Sequence, residues 1–241
     1  ATGSQSAMLL LAAAALVLPA IFEGVEGAGL PSPGTERVDY DAPVERLSLI
    51  VALVLIASYV AGLVFSLRTH RALFNPASGE EEADGGREPW SVRRAVAALA
   101  LAGVAVAAMS EILVGSIAEA ARSIGLTEFF IGAIVVAIVG NAAEHWVAVL
   151  LSRKGKMDLA MHIAIGSSAQ IALFVAPVLV LASFLLGPGP MALVFNGFEL
   201  GAFLLAVVIA NQVTQEGEST WFEGVQLLAV YAVVAVAFAF A

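Results

Sequence analysis

About seven apolar blocks, at residues 6–22, 47–65, 95–121, 127–151, 158–186, 198–213 and 220–240, restrict this chain to one class of fold. Each is near the roughly 20 residues that carry a helix across a bilayer. In hydrocarbon every backbone N–H and C=O must be satisfied internally, which a helix does within its own segment. The expectation is an all-α integral membrane protein of about seven transmembrane helices. Composition agrees: the 241 residues are 60% hydrophobic and 13% charged, against about 45–50% and about 25% in soluble domains. There is no Cys, so neither a disulfide framework nor a thiolate metal site is expected, and no resident cofactor. The net charge of -9 lies mostly in loops, and no basic face invites nucleic acid.

Lys and Arg set the orientation. Arg68, Arg71, Arg87, Arg93 and Arg94 follow the second block, and Arg153, Lys154 and Lys156 follow the fourth. The other side holds only Arg37, Arg46 and Arg122. The richer side reads as cytoplasmic, which puts Ala1 inside and Ala241 outside. The short loops suit a bacterial inner membrane. Three regions follow from composition. Residues 1–66 carry two blocks without an ionisable group in their apolar cores. Residues 67–94 form a hydrophilic linker, basic at its ends and acidic in its middle. Residues 95–241 carry five blocks studded with polar groups.

The polar groups are what a bilayer helix has to justify. Asn141 and Glu144 stand near the middle of the fourth block, three apart and therefore on one helical face. An acid at that depth costs roughly 2.5–3.5 kcal/mol on insertion scales, so it should face a cavity, a partner or an ion. Gly140 removes a side chain beside the pair and forms a notch open to close approach. On the next block Gly166, Ser167 and Gln170 repeat the arrangement. Pro177 should bend or break that helix further on. Carboxylate, amide and hydroxyl oxygens are hard ligands, which favour calcium or a similar cation. Glu144 can hold a cation when ionised and a proton when neutral, so one side chain serves two competing ligands. His145, about 100° round the helix, and Glu111 in the third block are further candidates for handling protons. Each of these groups also has a plainer reading: interhelical hydrogen bonding for Glu144, Glu111, Ser167 and Gln170, packing for the glycines, and structure for His145.

At these residues the chain resembles the calcium/cation antiporter superfamily, in its calcium/proton exchanger branch. "GNAAEH" (140–145) is similar to the second alpha-repeat motif, and "GSSAQIALFVAPVLVLAS" (166–183) to its partner on the next helix. "SEILVGSI" (110–117) and "EGESTWFEGVQLLAVY" (216–231) complete the order. The resemblance implies an inverted-repeat antiporter of eleven helices. This chain would supply the fifth to the eleventh, the last five forming one half. It also implies that Asn141, Glu144, Ser167 and Gln170 line a cation site, that Glu144 couples calcium to protons, and that a matching Glu from the first half faces it. No first copy of that motif occurs in this sequence. Calcium takes about 6–8 oxygens, so the site needs the missing N-terminal half, from the same polypeptide or a second copy. The non-Met start at Ala1 fits a chain cut from a longer exchanger. Two alternatives stand beside this: a sodium- or potassium-coupled exchanger of the same superfamily, and a non-transporting half-length membrane subunit.

Overall fold

The computed structural model describes residues 2–27, 29–33, 40–69, 90–186, 189–216 and 220–241. All regular structure among them is helical: α1 (Thr2–Glu26), α2 (Ala42–Thr69), α3 (Val92–Ile124), α4 (Glu128–Gly140), α5 (Ala142–Arg153), α6 (Met157–Leu186), α7 (Gly197–Glu216) and α8 (Trp221–Ala239). Among the described residues, five stretches are long and apolar enough to cross a membrane, within α1, α2, α3, α6 and α8. A sixth arises if α4 and α5, bent by 50° at their junction, are one span. The apolar part of α7, Gly197–Val213, is shorter. The acidic middle of the expected linker, 70–89, lies outside the described residues.

The core forms where α1 packs among α2, α6 and α7, and α2 lies along the second half of α6. Lipid is as apolar as leucine, so close packing holds membrane helices together and small residues permit it. Ala12, Ala52, Ala169 and Ala172 are buried at the contacts, with Leu16, Leu55, Leu173 and Val180 between them. A second cluster, Leu9, Ala13, Ile165 and Val207, joins α1 to α6 and α7. The two leading spans therefore belong to one packed unit with the fifth. By contrast, α3 makes no extensive contact with another described element, and its described side chains are exposed almost throughout.

Buried polar groups pin one end of this unit. Ser48, fully buried in α2, accepts a hydrogen bond from Leu193 N at 2.9 Å. Ser183 Oγ accepts from Met191 N at 2.8 Å. These two bonds hold the extended segment before α7 against the bundle. Asn196 then caps α7: its Oδ1 accepts from Glu199 N and its own N donates to Glu199 Oε2. The first block proves longer than its apolar run, and the helix continues to Glu26. Glu23, only 5% exposed, lies inside it, so an ionisable group stands at the end of a segment that read as free of them. Outside the spans, Tyr40 has its phenol pushed above its ordinary pKa by burial, then by the nearby Glu23 and Glu199.

Pro177 does not interrupt α6. The helix widens to a π-helical turn over Ile171–Val175 and runs on to Leu186. The wider turn accommodates the proline ring and its missing N–H without ending the helix. The break falls in the fourth block instead.

Candidate functional site

The break lies at Gly140 and Asn141. Asn141 has left helical geometry, at φ -99° and ψ 14°, the bridge region where turn and site residues often sit. Its backbone N and its side-chain Nδ2 both donate to Ala137 O, at 3.1 and 2.8 Å. An amide that bonds the local backbone competes with the helical ladder. A π-helical stretch at Ile131–Val136 precedes the bend. A second helix then starts at Ala142, with Glu144 in its first turn, where the dipole favours a carboxylate.

A tight turn, with Gly155 at φ 74°, reverses the chain after α5 and lays α5 along the first half of α6. Between them is a cavity of about 290 Å³. Asn141, Glu144, His145 and Ala148 form one wall; Ala164, Ser167, Ser168 and Ile171 form the other. Each wall has the spacing i, i+3, i+4, i+7 of one helical face. Asn141 and Glu144 are half-buried, and no described residue hydrogen-bonds the Glu144 carboxylate. The hydroxyls of Ser167 and Ser168 both donate to Ala164 O, at 3.1 and 3.0 Å. Their lone pairs stay available to a cation or water.

The expected residues are not all brought together. Asn141, Glu144 and Ser167 share the cavity. So does His145, because the wall spans the 100° arc that separates it from Glu144. Gln170 and Gly166 stand on the opposite face of α6. There they line a separate cavity of about 300 Å³ with Met8, Tyr59, Gly62 and Ser66 of α1 and α2. Glu111 is exposed on α3, away from both cavities. A Cβ placed on Gly140 would meet nothing within 4 Å, so its notch is open. Ala148 and Ser168 line the cavity as well, and the repeat i, i+3, i+4, i+7 from Asn141 and from Ala164 carries both. Among the described residues, no three His, Asp or Glu side chains converge. The cavity thus offers one carboxylate and a few neutral oxygens.

Comparison with known proteins gives this geometry a family. The family described as "Sodium/calcium exchanger protein" matches residues 94–240. A Ca(2+)/H(+) antiporter of Synechocystis is 46% identical over 210 residues, covering 82% of this chain and 56% of that protein. The Ca(2+)/H(+) antiporter ChaA of Bacillus subtilis is 44% identical over 193 residues, covering 80% and 55%. The solved structure of native YfkE superposes with a TM-score of 0.73 at 35% identity, covering 100% of this chain and 63% of that one. A second structure, titled a Ca2+/H+ antiporter, gives the same TM-score at 37% identity, covering 98% and 62%. The chain spans about half the length of the curated relatives it matches. A chain whose described regular structure is helical, with membrane-length apolar helices and a cavity under the "GNAAEH" break, matched over residues 94–240, belongs to the sodium/calcium exchanger protein family, beside relatives named as Ca(2+)/H(+) antiporters.

Proposed function

We propose that this chain supplies the Glu144-bearing half of a secondary antiporter that exchanges calcium, or a related cation, for protons. One observation carries the reading: a carboxylate, an amide and a hydroxyl, from Glu144, Asn141 and Ser167, line one cavity at a helix break between apolar segments. The ionised carboxylate binds the cation and the protonated one releases it, so the two ligands exclude each other. The relatives' names, Ca(2+)/H(+) antiporter, support calcium and protons as the pair.

The oxygen count supports a second face to the site. Calcium takes about 6–8 oxygens, and a lone carboxylate leaves a divalent ion undercompensated in a poor dielectric. The open side of Gly140 and the uncovered length of α3 are surfaces for a partner half bearing another carboxylate, from the same polypeptide or a second copy. In this reading residues 1–66 close the first repeat half, 67–94 link, and 95–241 form the second half. Gln170 stands about 60° round α6 from Ser167. A turn of α6 by that amount, next to the π-helical stretch, carries its amide to the cation's cavity. The excess of Lys and Arg after α2 and α5 supports a reading with those ends on the cytoplasmic side of a bacterial inner membrane and Ala241 outside.

The test is calcium uptake into vesicles carrying the full-length exchanger under an imposed pH gradient. Glu144→Gln should abolish uptake that depends on the gradient. Uptake equal to wild type would sink the role given to Glu144. Flux driven by sodium at constant pH would favour the sodium-coupled alternative.

A further inference from the structure

A further cavity system lies among α4, α6, α7 and α8. Its main part is an apolar groove of about 470 Å³. Ala133, Ala164, Ala202, Ala206 and Ala210 leave the space, and larger apolar side chains wall it. At the end nearest the α7–α8 turn it meets a cavity of about 410 Å³ that shares Ile209, Val213, Leu227 and Val230 with it. That end adds Gln212, Glu223 and Gln226. At the other end Phe238, 5% exposed and stacked on Phe129 with ring centroids 5.0 Å apart, stands in the wall. Twelve residues of α8 separate Gln226 from Phe238, about 18 Å at helical rise. One leaflet of hydrocarbon is about 15 Å deep, half of a roughly 30 Å core.

We propose that this groove is a binding site for one amine-bearing phospholipid, of the phosphatidylethanolamine class. An acyl chain lies between α7 and α8, and the head group sits at Gln212, Glu223 and Gln226. Three features select this occupant. The groove has the length of one acyl chain. Its amides and carboxylate gather at one end, and beyond them the wall is apolar apart from Tyr231, as an amphiphile requires. Among the described residues, the charged side chain at its mouth is a carboxylate, Glu223, which attracts an ammonium and repels an anionic head group, while the glutamine amides donate to the phosphate. One Glu223 oxygen already accepts from Thr220 N at 2.9 Å, which orients the carboxylate at the mouth. Ala164 lines both this groove and the Glu144 cavity, so a bound chain supports the α6 face opposite Glu144.

Native mass spectrometry of the purified full-length exchanger tests this, after delipidation and return of defined lipid. Dioleoyl phosphatidylethanolamine should be retained as a single molecule, at least fivefold over dioleoyl phosphatidylglycerol. Ala206→Phe fills the groove and should abolish retention. Val208→Phe, on an exposed position outside both cavities, should leave it unchanged. If Ala206→Phe fails to fold, the double substitution Gln212→Leu with Gln226→Leu leaves the groove open and should cut retention at least fivefold. Equal retention by Ala206→Phe and Val208→Phe, a preference for phosphatidylglycerol, no retained lipid, or retention indifferent to the glutamines would each overturn the proposal. The readout is binding, so failure of the exchange reading does not affect it.

Discussion

Glu144 is held by geometry rather than by a partner. It starts a helix whose first turn favours its charge, and it faces hydroxyls already turned toward their own backbone. Removing one neutral oxygen from such a site costs about 1–3 kcal/mol. Ser167→Ala should therefore raise the KM for calcium in vesicle uptake about tenfold, with maximal velocity reduced far less than by Glu144→Gln. The site's carboxylate and amide were legible in the sequence because acids are costly at bilayer depth. Gln170 was misplaced relative to Ser167 because a three-residue separation leaves about 60° between side chains, enough to send them to different cavities. At the other end of the bundle, Tyr40 makes a pH-dependent contribution. Its folded pKa is raised, so the folded state holds the phenolic proton more tightly. That stability is complete below the ordinary pKa of about 10 and is lost as pH climbs toward the raised value. Ultraviolet titration of the phenolate, compared with Tyr40→Phe, should show a late component that moves down in Glu23→Gln.

Among the elements, α4, α5 and α6 carry the departures from regular geometry nearest the Glu144 cavity, beside a π-helical end to α2. Asn141 bends the fourth span, and Pro177 is absorbed by a π-helical turn. The proline was the conspicuous signal, yet the asparagine makes the break, because an amide can satisfy a carbonyl in the bend whereas a proline only removes a donor. The segment before α7 depends on Ser48. Ser48→Ala leaves Leu193 N buried without an acceptor, a cost of about 1–3 kcal/mol. Thermal unfolding in detergent should report that loss, and hydrogen exchange should rise first at Leu193. Glu223 completes a reciprocal cap with Thr220 at the start of α8, a pattern visible in Thr220-x-x-Glu223.

Over the whole molecule, alanines set the distance between α1, α2 and α6. Ala52 is fully buried in that contact. Ala52→Leu should force the helices apart and cost about 1–3 kcal/mol, measured as a lower midpoint of unfolding with helix content unchanged. The sequence by itself determined that this chain is helical and membrane-embedded, and which helices hold the acid and its hydroxyls. Those follow from the solvation of backbone and charge in hydrocarbon, which act segment by segment. Only the tertiary structure decided that the two leading spans pack on α6, that α3 stands uncovered, and that Ser167 and Gln170 line different cavities. In lipid no difference in hydrophobicity tells one apolar face from another, so partners are chosen by the fit of small residues between helices. That fit is a property of pairs of surfaces, which no single stretch of sequence contains.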